Sequence, residues 1–181
     1  SDGDEVPAGA TLVTLDASAR ALLTGERTAL NYAQRLSGVA TQAARYVAAV
    51  KDSGVLLLDT RKTTPGWRDL EKYAVQCGGA RNHRHGLDDM VMIKDNHLAA
   101  LEGNNRISSA IERCRDAHPD LKIEVEADTP IQARQAAESG ADIILLDNMT
   151  LDEIRESVAL IDGRSQIEAS GGVTLDTISD I

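Results

Sequence analysis

Long apolar runs are missing from this 181-residue chain: none approaches the ~20 residues that a membrane-crossing helix needs. No charged-then-apolar leader pattern stands at its N-terminus. Cysteine is scarce, and Cys77 and Cys114 sit in unlike contexts without metal-ligand spacing. They read as free thiols in a reducing compartment, so a cytoplasmic location is the expectation. Positive charge is also short, with 19 Lys/Arg against 29 Asp/Glu and a net charge of −10. That balance argues against nucleic acid or an anionic membrane as the main partner, because both attract broad positive fields. An initiating methionine is absent too: the chain opens on Ser-Asp-Gly-Asp and stops at Thr174–Ile181, where helix signals begin. The expectation is a segment of a longer protein. What remains is the composition of a soluble globular domain, 42% apolar and 27% charged, long enough for a sizeable core.

The few cations are not spread evenly. Between Arg61 and His97 seven Lys/Arg meet five Asp/Glu, and three of the four histidines fall in the same stretch. It holds Asp59-Thr60-Arg61-Lys62-Thr63-Thr64-Pro65-Gly66, then Gly78-Gly79-Ala80-Arg81-Asn82-His83-Arg84-His85-Gly86, then Ile93-Lys94-Asp95-Asn96-His97. An acidic chain that gathers its cations around glycine-rich turns has a small anion to hold.

Periodicity supplies the frame. Residues 1–23 carry short apolar spots between turn signals and suggest a hairpin from a separate small β-containing domain. Residues 25–52 read as one long helix capped by Thr24, with Ala29, Ala33, Leu36, Ala40, Ala43, Val47 and Val50 in one stripe. Its polar side carries Arg27 and is either a solvated face or a contact surface. The small pair Ser37-Gly38 suggests close packing of another element there, such as a second subunit. Val55–Leu58 reads as a strand buried on both faces. Further strands are expected at Met90–Ile93, Lys122–Glu126, Ile143–Leu146 and Gln166–Ala169. Helices are expected at Asp69–Cys77, Asn105–Ala117, Pro130–Ser139 and Leu151–Ile161. This alternation predicts an α/β fold with a parallel sheet and right-handed crossovers.

Each predicted strand ends on unusual residues. Leu58 leads to Asp59, Arg61 and Lys62; Ile93 to Lys94, Asp95 and Asn96; Glu126 ends its strand; Leu146 leads to Asp147-Asn148; Ala169 leads to Ser170-Gly171-Gly172. In parallel α/β folds the C-terminal strand ends form the active-site mouth. Arg61, Lys62, Arg84 and Lys94 offer cations for carboxylate or phosphate. Glu126 and Asp147 suit a hard divalent cation, Mg²⁺, or a developing positive charge. Ser170, Gly171 and Gly172 can offer backbone N–H groups to a phosphate. Some assignments stay open on spacing alone. Glu124 and Glu126 share a face, so spacing does not choose between them. His97 is a hydrogen-bonding residue or a catalyst, and Asp59 either pins the Arg61-Lys62 turn or belongs to the site. Arg68 and Arg81 are site cations or surface charges.

In their order along the chain these residues resemble the quinolinate phosphoribosyltransferase family. The resemblance rests on Glu26–Asn31, Arg35–Thr41, Asp59–Gly66, Glu71–Val75, Asn82–Arg84 with Gly86-Leu87, Ile93–His97, Glu124–Glu126, Leu146–Asn148 and Ser170–Gly172, and covers nearly the whole chain. It implies a partial open (β/α) barrel with parallel strands over residues 25–181, preceded by a remnant of an α+β sandwich domain over residues 1–24. It implies phosphoribosyl transfer from phosphoribosyl pyrophosphate to quinolinate with Mg²⁺ as cofactor, giving nicotinate mononucleotide, pyrophosphate and CO₂ in NAD biosynthesis. Arg61, His83, Arg84 and Lys94 would hold the dicarboxylate, with Lys62 between it and the phosphates. Glu126 and Asp147 would hold ribose hydroxyls and the metal, and Ser170, Gly171 and Gly172 the 5′-phosphate. Lys62, Lys94, Glu126 and Asp147 are the expected catalytic set. Arg27 would reach the neighbouring site of a homodimer with shared active sites.

Two positions depart from the family pattern: Ala80 where a third glycine is usual, and Trp67 where leucine is common. A related phosphoribosyltransferase for another aromatic acid, or a segment that only binds ligand, are the alternatives. A Schiff-base aldolase built on Lys94 is a third.

Overall fold

Ser18 starts the longest element. Its hydroxyl accepts the Ala21 N–H at 3.3 Å, and helix α1 runs from Ala19 to Ala49 in the computed structural model, which describes residues 1–181. The expected cap, Thr24, lies inside the helix, and its hydroxyl donates back to the Arg20 carbonyl at 2.7 Å. The expected hairpin over residues 1–23 does not form. Residues 1–18 hold turns and extended chain, and Val6, Leu12, Val13 and Leu15 are exposed. Two lone strands with nothing packed on their apolar side chains lack the burial that holds a hairpin together.

The chain divides into two compact units, Ser1–His83 and Arg84–Ile181. In the first, the C-terminal half of α1 packs on helix α2 (Arg68–Cys77). Ala43 and Val50 are buried and Leu36, Ala40 and Val47 half-buried, whereas Ala29 and Ala33 are exposed. Trp67 stacks on Tyr32 with ring centroids 4.5 Å apart and planes 8° from parallel, so the substitution for leucine adds an aromatic contact. Gly38 meets nothing within 4 Å inside its unit; the close approach falls instead at Gly78, against Ala40 and Ala43. In the Gly78-Gly79-Ala80 run the left-handed residue is Gly79 (φ 86°), which is why Ala80 fits, buried, at its position.

Val55–Leu58 departs from expectation. Its pairing is a single bridge, Leu58 to Arg81, and Val55 and Leu56 are 62% and 55% exposed. A doubly buried strand needs neighbours on both edges, and this unit supplies one residue.

The second unit follows the predicted alternation to within a residue or so at most boundaries. Strands β1 (Val91–Ile93), β2 (Ile123–Ala127), β3 (Ile143–Asp147) and β4 (Gln166–Ser170) form one parallel sheet in the order β1-β2-β3-β4. Helices α4 (Arg106–Ala117), α5 (Pro130–Glu138) and α6 (Leu151–Ile161) connect them, and a five-residue helix α3 (Asp95–Ala99) follows β1. Thr129 caps α5, and Thr150 with Glu153 forms a capping box on α6. Sequential strand order with helical crossovers is the pattern of a (β/α) barrel segment.

Register separates the two faces of the sheet. Paired residues in a parallel ladder point the same way, and successive residues alternate. Ile123, Val125, Ala127, Ile144 and Leu146 therefore share one face, and all are fully buried with Ala133, Ala136 and Ile161 from the helices. The other face carries Met92, Glu124, Glu126, Leu145, Asp147, Glu168 and Ser170. The apolar face makes the core, and the polar face is left for chemistry. Asp142 locks the opposite end of the sheet, accepting Ile123 N–H and Arg115 at 2.8 Å each. Burial pushes its carboxyl up, but these bonds and the charge of Arg115 hold it below the ordinary 3.8. No helix is long and apolar enough to cross a membrane.

Candidate active site

The expected site residues divide between the units. Arg27, Arg61, Lys62 and His83 belong to the first; Arg84, Lys94, Glu126, Asp147, Ser170, Gly171 and Gly172 belong to the second.

In the first unit the turn after Leu58 is held by Thr60, whose hydroxyl accepts the Lys62 N–H at 3.0 Å, and by a Thr63 N–H bond to the Arg61 carbonyl at 3.0 Å. Asp59 does not pin this turn. Its Oδ1 accepts Lys72 Nζ at 2.5 Å and the His83 N–H at 2.8 Å, while Lys72 also donates to the His83 carbonyl at 3.0 Å. With its amide turned so that both groups find partners, Asn82 donates through its nitrogen to Asp59 Oδ2 and to the Lys72 carbonyl, both at 3.0 Å. The Asn82-His83 backbone is thus fixed by a buried charge pair. Arg61 is half-buried, and its Nε is sealed from solvent with no hydrogen-bond partner. Such a donor costs about 1–3 kcal/mol until an acceptor meets it. Lys62 and Arg27 are exposed. Glu71 holds the far end of the loop: its carboxylate accepts Arg35 at 2.8 Å, the Thr64 hydroxyl at 2.7 Å and the Thr64 N–H at 3.1 Å.

In the second unit the strand ends place the expected residues on one face. Lys94, one residue past β1, forms an ion pair with Glu126 Oε2 on β2. Glu126 is 13% exposed, whereas Glu124 on the same face is fully buried, so only Glu126 of the two meets solvent. Asp147 ends β3 in register with Ser170 at the end of β4, and the Ser170 hydroxyl donates to Asp147 Oδ1. The second Asp147 oxygen accepts Asn148 Nδ2 at 2.7 Å. Strand spacing of ~4.8 Å and a rise of ~3.3 Å per residue put the Glu126 and Asp147 backbones about 8 Å apart. Gly171 and Gly172 follow as exposed left-handed residues, φ 89° and 62°. Arg84 donates to the Met90 carbonyl at 3.4 Å and to Met92 Sδ at 3.2 Å, which brings its guanidinium to the polar face. His97 takes the structural role: its Nδ1 accepts the Lys94 N–H at 3.0 Å and starts α3 beside the lysine.

Sequence reasoning gave no role to Lys72, Glu71, Asn82 or Asn148. Lys72 and Glu71 are charges on a helix that looks solvated by composition, and only the fold buries them. Asn148 carried a usable signal, since asparagine tolerates a left-handed backbone and stands directly after a strand-end carboxylate.

A parallel α/β unit gathers a lysine, two carboxylates and a Ser-Gly-Gly turn at its C-terminal strand ends, where such folds place their active sites. Two family models match the chain: "Quinolinate phosphoribosyl transferase, N-terminal domain" over residues 1–37 and "Quinolinate phosphoribosyl transferase, C-terminal domain" over residues 39–181. The chain belongs to the quinolinate phosphoribosyltransferase family. It is 45% identical to the probable nicotinate-nucleotide pyrophosphorylase [carboxylating] of Bacillus subtilis, covering 98% of this chain and 61% of that protein. It is 40% identical to the human nicotinate-nucleotide pyrophosphorylase [carboxylating], covering 98% and 61%. The crystal structure of NadC from Streptococcus pyogenes superposes with a TM-score of 0.92 at 46% identity, covering 99% of this chain and 62% of that one. The chain therefore spans about three fifths of the length of the curated relatives it matches.

Proposed function

We propose that this chain carries the chemistry of a quinolinate phosphoribosyltransferase: transfer of the phosphoribosyl group from phosphoribosyl pyrophosphate to quinolinate, with loss of pyrophosphate and CO₂. The observation that carries the reading is the row Lys94–Glu126 and Asp147–Ser170 on one sheet face at the C-terminal strand ends, in a chain of this family.

The residues support the reaction step by step. Lys94 and Arg84 are cations for the quinolinate carboxylates, and Arg61, with its unmet buried donor, and His83 keep the same role. Lys62 is an exposed cation that would stand between the dicarboxylate and the phosphates, and Arg27, also exposed, would reach the site of a second copy in a homodimer. Loss of pyrophosphate leaves positive charge on the ribose, which Glu126 and Asp147 stabilise through carboxylates already fixed by Lys94 and Ser170. Ser170 to Gly172 offers an exposed turn for the 5′-phosphate. Mg²⁺ fits this donor set: Glu126 and Asp147 are hard oxygen ligands, and the ion takes one or two carboxylates together with substrate phosphates. When bound it neutralises charge on the departing pyrophosphate. The cytoplasmic location belongs to the same proposal, supported by the free Cys77 and Cys114.

The deciding experiment incubates the protein with phosphoribosyl pyrophosphate, Mg²⁺ and either quinolinate or nicotinate. Nicotinate mononucleotide and CO₂ should form from quinolinate only. Turnover of nicotinate alone overturns the substrate, and calorimetric quinolinate binding without product would favour a ligand-binding segment.

A further inference from the structure

Asp147 is held from two sides, and the second holder has no role in the scheme above. Asn148 has φ 54°, a left-handed backbone that residues other than glycine adopt at a cost. In a continuing strand its side chain would point to the face opposite Asp147. The left-handed bend turns it back, so Nδ2 reaches Asp147 Oδ2 at 2.7 Å. The same bend keeps the Asn148 N–H on the Ser170 carbonyl at 2.9 Å, one bond beyond the paired strand residues. Gly171 leaves room for it. A Cβ at Gly171 would collide with Asn148 Oδ1 and lie 2.8 Å from the Asn148 nitrogen.

We infer that Asn148 is a positioning residue for the Asp147 carboxylate, with Gly171, left-handed at φ 89°, leaving the room it occupies. The Ser170 hydroxyl takes one carboxylate oxygen and the Asn148 amide the other. Two neutral donors fix the plane of the group without cancelling its charge, and each oxygen keeps a lone pair for substrate or metal. A carboxylate preset in this way does not reorganise when ribose charge develops. The inference rests on the reading of Asp147 as a residue of the reacting site.

The test uses the full chain with three variants, Asn148→Gly, Asn148→Asp and Asp147→Ala. Asn148→Gly keeps the positive φ and deletes the amide, so folding survives. Asn148→Asp keeps shape but puts a carboxylate where the donor was. Asn148→Gly should lower kcat about tenfold, leave KM for quinolinate within about twofold and leave Tm unchanged or higher. Asn148→Asp should lower kcat further. Independently, the Asn148 side-chain amide proton should resonate downfield in ¹H–¹⁵N spectra and return to the free position in Asp147→Ala. Normal kcat in Asn148→Gly beside an inactive Asp147→Ala overturns the positioning role and leaves the site standing. An amide resonance indifferent to Asp147→Ala overturns it as well. A fully active Asp147→Ala removes the site reading and the positioning role together.

Discussion

Lys72 Nζ and Asp59 Oδ1 lie 2.5 Å apart with side chains only 2% and 7% exposed. Around this pair Asp59 takes the His83 N–H and Lys72 takes the His83 carbonyl. The pair is thus an anchor for the segment that ends in a candidate substrate residue. Removing one partner leaves a buried charge without compensation, which typically costs 3–5 kcal/mol. Lys72→Met should therefore destabilise by about 3 kcal/mol in urea unfolding. Adding Asp59→Leu should return part of the loss, because the stranded carboxylate is then gone. A double variant less stable than Lys72→Met would contradict a buried pair.

Glu71 sets an acid limit on the same unit. Hydrogen bonds from Arg35 hold its carboxyl below the ordinary 4.5, outweighing burial, with further help from Thr64. A carboxyl with a depressed folded pKa stabilises above its unfolded pKa and loses that contribution as pH falls through the folded value. Wild-type stability should fall below about pH 4.5, and Glu71→Gln should be less stable at pH 7 yet flatter through that acid range. Urea midpoints across pH 2–7 read both slopes.

Much of this was legible beforehand, for a physical reason. Strands such as Ile143–Asp147 and helices such as Leu151–Ile161 carry their own periodicity, caps and turn residues, so local sequence specifies them. The strand-end rule then placed Lys94, Glu126, Asp147 and Ser170 on one face. Legibility failed where structure depends on distant partners. Val55–Leu58 has the composition of a buried strand, but pairing is a property of its neighbours. Thr24 looked like a cap because capping chemistry is local, and Ser18 offered the same chemistry six residues earlier. Asp59 could not be assigned because Lys72, its partner, is thirteen residues away on a helix face that looks polar.

Gly78 has an ordinary φ of −78°, so its role is space and not backbone freedom. A Cβ there would collide with the Ala40 carbonyl and lie 2.7 Å from Ala43 Cβ, both on α1. Backbone and a packed alanine do not yield easily. Gly78→Ala should cost about 1–3 kcal/mol, the range for overpacking, and should lower Tm. A change of the other sign would mean that α1 moves away from α2 at no cost, against the packing described.

Arg84 gives the last prediction. Its donors meet the Met90 carbonyl at 3.4 Å and Met92 Sδ at 3.2 Å, one contact long and the other to a weak acceptor. A guanidinium also suits a quinolinate carboxylate, since charge-assisted bonds contribute roughly twice as much as neutral ones. Arg84→Ala should weaken quinolinate binding by about 2 kcal/mol, near thirtyfold, measured by calorimetry. Arg84→Lys should recover only part, because an ammonium group keeps the charge but loses the planar fork that meets a carboxylate with two bonds. Tm separates a binding effect from unfolding, since Arg84 also contacts β1. Unchanged affinity in Arg84→Ala at unchanged Tm would remove Arg84 from the proposed dicarboxylate site and leave Lys94 as the candidate cation of the second unit.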